Sequence, residues 1–272
     1  MPELPEVETT VNGIKPWLEN KTIKAINIYN DSLRWKIPAN LPDKYQKQTV
    51  TSVTRRAKYI LVHLDSGATL IMHLGMSGSL VINTQGRPLA KHDHFEMIMA
   101  DGTTLRFNDP RRFGCILDAQ DYLSHKLIKN LGPEPLSDGF DGAMLKTKSN
   151  NKTQAIKNFI MDGKVVVGVG NIYASEALFM AKINPATAAG KVSLKRYQQL
   201  AKTTKQVLSR AIASGGTTLS DFVNAEGKPG YFAQKLKVYG RENKPCVVCK
   251  NIIKKTIIGQ RSTFYCSKCQ KN

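Results

Sequence analysis

Apolar residues near the start of the chain recur at the three- and four-residue spacing of one helix face. They are Val7, Val11, Ile14 and Leu18. Proline is well tolerated in a first helical turn, so Pro2 and Pro5 favour a helix that begins close to the N-terminus. Pro16 lies in the last turn of the pattern and requires the helix to bend or end there. The pattern predicts one amphipathic helix.

Between Thr22 and Ala119 the pattern changes to short runs rich in β-branched and aromatic residues. There are eight such runs: TIKAINIY, TVTSVT, KYILVHL, ATLIMHL, SLVIN, HFEMIMA, TTLRFN and GCILD. Tight-turn sequences at Asp65-Ser66-Gly67 and Asp101-Gly102 separate neighbouring runs, which favours antiparallel hairpins. We therefore predict an antiparallel β-sandwich, or a flattened barrel, that follows the first helix.

Helical periodicity returns after Gly132-Pro133-Glu134-Pro135, a stiff stretch typical of a domain boundary. Helices are predicted near 142–162, 173–182, 193–214 and 217–225. The fold class is therefore α+β with two domains. The predicted bounds are 1–132 for the β domain, 133–150 for a linker region, 151–228 for the helical domain and 237–271 for a C-terminal unit that contains four cysteines.

Composition points to a polyanion as the partner. The chain has 40 Lys and Arg against 21 Asp and Glu, a formal net charge of +19 that favours nucleic acid, although ribosomal and membrane-surface proteins share such a balance. Eleven basic residues and one acidic residue lie between positions 228 and 272. No run approaches the roughly 20 apolar residues of a membrane span, and the acidic start differs from a signal peptide. We expect a cytoplasmic protein.

Four of the five cysteines form two closely spaced pairs. Cys246-x-x-Cys249 and Cys266-x-x-Cys269 are separated by sixteen residues, a spacing that lets two turns on a β-hairpin present four thiolates to one zinc ion. Four thiolates leave no open position for a water, so the zinc is predicted to be structural. Redox-active pairs are the alternative. Basic neighbours such as Lys250 and Lys268 would let this finger contact phosphate.

The first residues could supply a nucleophile. Removal of Met1 would expose the secondary amine of Pro2, and an α-amino group titrates near pH 7.7 to 8.0, so part of it is uncharged at neutral pH. Attack on an anomeric carbon would give an iminium, which permits elimination of a phosphate. Glu3 and Glu6 lie within one turn and could move protons. Ordinary helix capping explains the same residues equally well.

Eight segments in order along the whole chain resemble the formamidopyrimidine-DNA glycosylase family. They are MPELPEVET, RRAKY, HLGMSG, KHDH, DPRRFG, LGPEPL, GVGNIYASE and QRSTFYC, the last within the cysteine finger. The resemblance implies a DNA repair enzyme that is both glycosylase and abasic-site lyase. It also implies a β-sandwich, then a helix-two-turn-helix domain and a zinc finger, with double-stranded DNA bound across the cleft. The implied substrates are 8-oxoguanine opposite cytosine, formamidopyrimidines and abasic sites.

The resemblance also implies roles for individual residues. Pro2 would be the attacking amine, Glu3 would transfer protons, and Lys58 would hold a phosphate beside the lesion. An everted nucleotide leaves a gap in the duplex, which Met76, Arg111 and Phe113 would fill. The remaining implied DNA-binding residues are His73 and His92 near the backbone path, Lys157 at the substrate pocket, and Asn171 and Arg261 at the phosphates that flank the lesion.

Further features of the resemblance are local. The loop from Leu219 to Tyr231 would close over the base. Asn158 stands where the family commonly has proline, and Gly163 stands where Asn or Gln is usual. The resemblance therefore does not predict the turn geometry at these two positions. His92-Asp93-His94 could suggest a metal site, but alternation along a strand would point Asp93 away from both histidines.

Two rival functions stay open at this stage. The first is the sister enzyme endonuclease VIII, which prefers oxidised pyrimidines, although its members more often begin PEGPE than PELPE. The second is a zinc protein that binds DNA or RNA without catalysis. We expect a monomer that needs one structural zinc and no organic cofactor.

Overall fold

A computed structural model describes residues 2–84, 86–217 and 235–271. These residues divide into two units. The first comprises 2–129 together with 214–217, and the second comprises 130–213 together with 235–271. Each unit has its own apolar core. The predicted helix near 217–225 and the predicted loop from Leu219 to Tyr231 fall almost wholly outside the described residues.

The first unit contains one long helix, one short helix and two antiparallel sheets. The helices are α1 (Leu4–Leu18) and α2 (Leu41–Tyr45). The strands are β1 (Ile23–Ile28), β2 (Val50–Arg56), β3 (Tyr59–Leu64), β4 (Thr69–His73), β5 (Ser79–Asn83), β6 (Asp93–Met99), β7 (Thr104–Asn108) and β8 (Cys115–Ala119). One sheet has the order β1-β6-β7-β5 and the other β2-β3-β4-β8. All eight predicted strands are present.

Helix α1 and both sheets share one core. The four apolar residues of the predicted helix face are at most 4% exposed and lie in the same cluster as Val62 of β3 and Phe95 of β6. Burying one such side chain stabilises the fold by about 1.5–3 kcal/mol. Pro16 lies inside the helix, which ends two residues later at Leu18, as the sequence required. The predicted α+β class with an N-terminal helix and antiparallel sandwich is confirmed.

The second unit is helical. Its helices are α3 (Gly142–Ser149), α4 (Ile156–Met161), α5 (Asn171–Met180) and α6 (Leu194–Ala213), with a short 3₁₀ turn at Ala189–Lys191. The expectation of one helix over 142–162 is wrong, because Asn151 adopts a left-handed φ of 59° and residues 150–155 leave the helical path. The segment 133–150, predicted as a linker region, contains α3 and contributes Phe140 and Leu145 to the second core.

The C-terminal finger is a hairpin of β9 (Lys254–Ile258) and β10 (Arg261–Tyr265). Gly259 and Gln260 join the strands with φ of 56° and 61°, values typical of a two-residue type I′ turn. Its core is small and includes Val238, Ile253 and Phe264, packed with Phe179 of α5. Among the described residues, no helix has the length and apolar character needed to cross a membrane.

Candidate active site and nucleic-acid interface

The head of α1 holds the two predicted catalytic residues in a buried setting. Pro2 is buried, and Glu3 is 3% exposed and caps the helix. The Glu6 carboxylate accepts a hydrogen bond from the backbone N–H of Glu3 at 2.8 Å and another from the backbone N–H of Thr217 at 2.7 Å. Glu6 was one of two candidate proton carriers, and these contacts show that it holds the backbones of Glu3 and Thr217 in place.

Lys58 lies in the turn between β2 and β3. Ala57 before it adopts a left-handed φ of 55°, and the Arg55 guanidinium donates to the Ala57 carbonyl at 2.8 Å. Arg55 also forms an ion pair with Glu8 of α1. Helix α1 is therefore tied through this ion pair to the turn that carries Lys58, so the predicted catalytic residues belong to one connected part of the first unit.

His73 ends β4 and is held in one tautomer. The backbone N–H of Gly75 donates to His73 Nδ1 at 2.9 Å, which leaves the ring proton on Nε2. Burial lowers the pKa of His73 to about 4, and the positive charges of Lys58 and Arg34 act in the same direction. His73 is therefore neutral at physiological pH and can donate one hydrogen bond to an anion.

Met76 lies at the tip of the β4–β5 turn and is 38% exposed. Gly75 has a φ of 62°, and a Cβ at this position would lie 2.4 Å from the backbone of Phe113 and of Gly114. Glycine is thus required both for the left-handed turn and for close packing against the second loop. This packing brings Met76 to the loop that carries Arg111 and Phe113.

The loop 109–114 is closed by a buried aspartate. The Asp109 carboxylate accepts hydrogen bonds from Ser77 Oγ at 2.7 Å and from the Gly114 backbone at 2.8 Å. At the loop tip, Arg112 has a left-handed φ of 55°, and the Arg111 guanidinium lies 5.0 Å from the ring centre of Phe113. Phe113 is 45% exposed, although large aromatic side chains are usually buried.

The predicted residues of this region line one pocket of about 590 Å³. His73, Met76, Arg111 and Phe113 contribute to its wall, as do Arg34 and Arg112. Three arginines and two exposed apolar side chains make this surface suited to an anionic ligand that also offers flat apolar faces, as a nucleic acid does.

His92 lies outside that pocket, and its neighbours do not form a metal site. Asp93 is buried and accepts hydrogen bonds from the Ala90 backbone and the Asn108 side chain. His94 Nε2 is 2.9 Å from the Asp109 carbonyl. The metal alternative therefore has no support in the geometry.

Residues of the second unit converge on the finger hairpin. Lys157 of α4 is fully buried, and its Nζ donates to the Ser262 carbonyl at 3.1 Å and to Thr263 Oγ1 at 2.6 Å. Asn171, the first residue of α5, donates to the same carbonyl at 3.1 Å. Arg261 is exposed and precedes Ser262 directly. Lys157 therefore supports the hairpin in this structure, and its expected place at the substrate pocket stays a prediction.

The four paired cysteines form one cluster. Their sulfur atoms lie within 4.8 Å of one another, with 3.9 Å between Cys246 and Cys269 and 3.4 Å between Cys249 and Cys266. Zinc–sulfur bonds of about 2.3 Å in a tetrahedron place sulfurs about 3.8 Å apart, so the cluster fits one zinc ion. Among the described residues, this is the one group suited to hold a metal.

Three family models match consecutive parts of the chain. They describe the formamidopyrimidine-DNA glycosylase N-terminal domain at residues 1–116, the H2TH domain of the same enzymes at 131–223, and a zinc finger found in FPG and IleRS at 243–272. A protein from Marinobacter nauticus named formamidopyrimidine-DNA glycosylase is 53% identical over 271 residues, with 100% of both chains covered. The chain belongs to the formamidopyrimidine-DNA glycosylase family. The resemblance drawn from the eight motifs is confirmed.

Solved structures of this family have the same fold. A Lactococcus lactis Fpg (MutM) in complex with DNA that contains N7-benzyl-Fapy-dG is 30% identical, with a TM-score of 0.92 and 100% of both chains covered. The same protein with DNA that contains an oxidised pyrimidine has a TM-score of 0.91 at 30% identity, again with 100% of both chains covered. Family membership and the cysteine geometry together confirm the predicted structural zinc site.

Sequence reasoning missed residues that act only through tertiary contacts. The motif DPRRFG contains Asp109, but it does not indicate that the Asp109 carboxylate holds the loop through Ser77, more than thirty positions away. Glu176 of α5 is buried and accepts hydrogen bonds at 2.9 Å from the backbone N–H groups of Lys237, Val238 and Tyr239. An acidic residue inside an otherwise apolar helix was the available signal, because a buried carboxylate needs donors.

Proposed function

We propose that this chain removes oxidised purines from double-stranded DNA and then cuts the strand at the abasic site. The observation that carries the proposal is the head of α1, where Pro2 and Glu3 are buried together and Glu6 fixes the Glu3 backbone. Family membership supports the activity, and the relatives with bound lesion DNA support the partner.

The first chemical step is attack on the sugar. After removal of Met1, the Pro2 nitrogen uses its lone pair to bond to C1′ of the everted nucleotide, and the bond from C1′ to the damaged base breaks. The base leaves with the proton that the Pro2 nitrogen loses after its attack, so the nitrogen on C1′ regains a lone pair. Opening of the C1′–O4′ bond, with a proton from Glu3 to O4′, gives an iminium between Pro2 and C1′. Burial of Glu3 keeps water away from this proton transfer.

The iminium then permits strand cleavage. Its positive nitrogen accepts electrons, so a C2′ proton is lost and the C3′–O bond breaks, which releases the 3′ phosphate. A second elimination removes the C4′ proton, breaks the C5′–O bond and releases the 5′ phosphate. Water hydrolyses the remaining iminium and restores the Pro2 amine. Lys58 and neutral His73 hold phosphates beside this site. The four cysteines would fill the coordination sphere of a zinc ion, so the ion would stabilise the finger and take no part in the chemistry.

The exposed side chains of the two loops support base eversion. Met76 and Phe113 fill the space that the everted base leaves, and Arg111 hydrogen-bonds the orphaned cytosine. In the second unit, Asn171 and Arg261 hold flanking phosphates, and Lys157 supports the hairpin that carries Arg261. His92, in the first unit, lies along the backbone path. The proposed enzyme acts as a monomer in the cytoplasm. The domain bounds of 1–132, 133–150, 151–228 and 237–271 stay predictions.

Paired lesion assays test the proposal. We expect base release and strand cleavage on an 8-oxoguanine:cytosine duplex to exceed those on an oxidised-pyrimidine duplex. Glu3→Gln should abolish base release while binding is retained, because the carboxylate is the proton carrier. Equal or greater activity on the pyrimidine lesion would favour the sister specificity, and full base release by Glu3→Gln would refute the role of Glu3. Binding without any release would leave only a DNA-binding zinc protein.

A further inference from the structure

Arg34 lies in a segment between β1 and α2 whose side chains alternate between core and solvent. Leu33 and Ile37 are buried in the core of the first unit, whereas Arg34 is exposed. The backbone N–H of Arg34 donates to the Gly114 carbonyl at 3.2 Å, at the end of the loop that carries Phe113. Two buried neighbours and this hydrogen bond therefore fix Arg34 at the rim of the pocket.

Among the residues that the structure describes, the guanidinium of Arg34 has no acidic partner. Within residues 2–84, 86–217 and 235–271, no carboxylate forms an ion pair with this guanidinium. Its central carbon lies 4.8 Å from the centre of the Trp35 ring. Lys36, two positions along, shows the contrasting case, because its Nζ lies 3.1 Å from the Asp31 carboxylate. Arg34 thus keeps its full charge available for a ligand.

Within the described residues, the lining of the pocket contains three arginines and no Asp or Glu. Arg34, Arg111 and Arg112 line it together, and the charges of Arg34 and Lys58 add to burial in keeping the pKa of His73 low. The carboxylate of nearby Asp109 is buried and already accepts hydrogen bonds from Ser77 and Gly114. Like charges in one concavity repel, and an anion bound among them relieves the repulsion.

We propose that Arg34 binds a backbone phosphate of the DNA, as an additional member of the interface formed by this pocket. The inference rests on the proposed function for the identity of the polyanion. A guanidinium matches phosphate with two parallel donors, and the Trp35 ring beneath it limits the directions in which it can point. His73 on the same wall supplies a neutral donor, so the two residues can share one stretch of backbone.

The salt dependence of binding distinguishes a phosphate contact from other roles. Each phosphate neutralised contributes about 0.9 to the slope of log K against log salt, so loss of one contact weakens binding roughly eight-fold at 0.1 M salt and hardly at all near 1 M. We therefore expect Arg34→Ala to lower the slope by about 0.9 on a duplex with a tetrahydrofuran abasic analogue. Arg34→Lys should keep the slope, and Lys36→Ala should behave as wild type.

Two results would overturn the proposal. One is a wild-type salt slope for Arg34→Ala. The other is a loss of affinity that depends on the base opposite the lesion while the salt slope is unchanged, which would indicate base recognition. An unchanged far-ultraviolet circular dichroism spectrum and urea midpoint check that Arg34→Ala is folded, because loss of the guanidinium beside Trp35 can itself alter the fluorescence of that ring. If Arg34→Ala does not fold, Arg34→Gln, which also removes the charge, should lower the slope by the same amount of about 0.9. If wild-type protein itself fails to bind or cleave lesion DNA, the proposed function fails instead, so the two failures are distinguishable.

Discussion

Replacement of Asp109 tests whether one buried carboxylate holds the loop that carries Arg111 and Phe113. Asp109 is fully buried, and its two oxygens accept hydrogen bonds from Ser77 Oγ at 2.7 Å and from the Gly114 backbone at 2.8 Å. Asp109→Ala removes both, together with a longer hydrogen bond of 3.3 Å from the Arg111 backbone N–H, and leaves the buried N–H of Gly114 without its partner. Asp109→Asn is the matched control, because an amide oxygen can still accept from Gly114 and an amide N–H can donate to the Ser77 hydroxyl.

The expected loss follows from these contacts. A hydrogen bond to a charged group contributes about 1.5–3 kcal/mol, and removal of a buried carboxylate also removes its desolvation cost. We therefore expect Asp109→Ala to lower the free energy of unfolding by about 3 kcal/mol, and Asp109→Asn by about 1 kcal/mol. With a denaturant slope of about 2 kcal/mol per M, the first value moves the urea midpoint by about 1.5 M.

Tryptophan fluorescence is the appropriate readout, because both tryptophans of the chain, Trp17 and Trp35, lie in the first unit. Urea unfolding of the three proteins then reports on the unit that contains Asp109. Asp121→Ala, an exposed aspartate of the same unit, should shift the midpoint little. If Asp109→Ala and Asp109→Asn lose the same free energy, or if Asp109→Ala loses no more than Asp121→Ala, the clamp has no energetic role.

Three further predictions follow from the described contacts. The first unit should lose up to about 3 kcal/mol of stability as pH falls from about 6.5 to 4, since unfolded His73 binds a proton in this window and folded His73 does not. His73→Asn keeps an acceptor for the Gly75 N–H, so its urea midpoint should fall less between pH 7 and pH 5 than the wild-type midpoint does. An equal fall in both proteins would contradict this prediction. Lys157→Met should weaken DNA binding in the wild-type background but add little to Arg261→Ala, because Lys157 acts through the hairpin; additive losses of affinity would refute this. Cys246→Ser should reduce zinc per chain, measured by metal analysis, to near zero and weaken DNA binding, and retained zinc would exclude the four-thiolate site.

Much of the fold could be predicted because it depends on local patterns. Short runs rich in β-branched and aromatic residues located the strands of the sandwich, and the spacing of the two cysteine pairs predicted the metal site. The break at Asn151 was missed for a physical reason. A left-handed residue interrupts a helix at little cost when it is Asn, and periodicity does not record backbone sign.

The candidate site could be predicted only in part. Motifs indicated Pro2, Arg111 and Phe113, because these residue types carry the chemistry themselves. Supporting residues could not be assigned in this way, since Glu6 and Lys157 act through partners that are distant in sequence, Thr217 and Ser262. Lys157 is also fully buried, and a sequence gives no direct signal for the burial of a lysine.

The most direct test of the proposed chemistry is to trap the enzyme on DNA and map the bond. Protein without Met1, loaded with zinc, is mixed with an 8-oxoguanine:cytosine duplex and sodium borohydride, and the crosslinked peptide is sequenced by mass spectrometry. We predict a reduced bond between the sugar and the nitrogen of Pro2, and a weakened crosslink in Pro2→Gly. A crosslink through the side chain of Lys58 or another lysine, or none at all, would contradict the central claim.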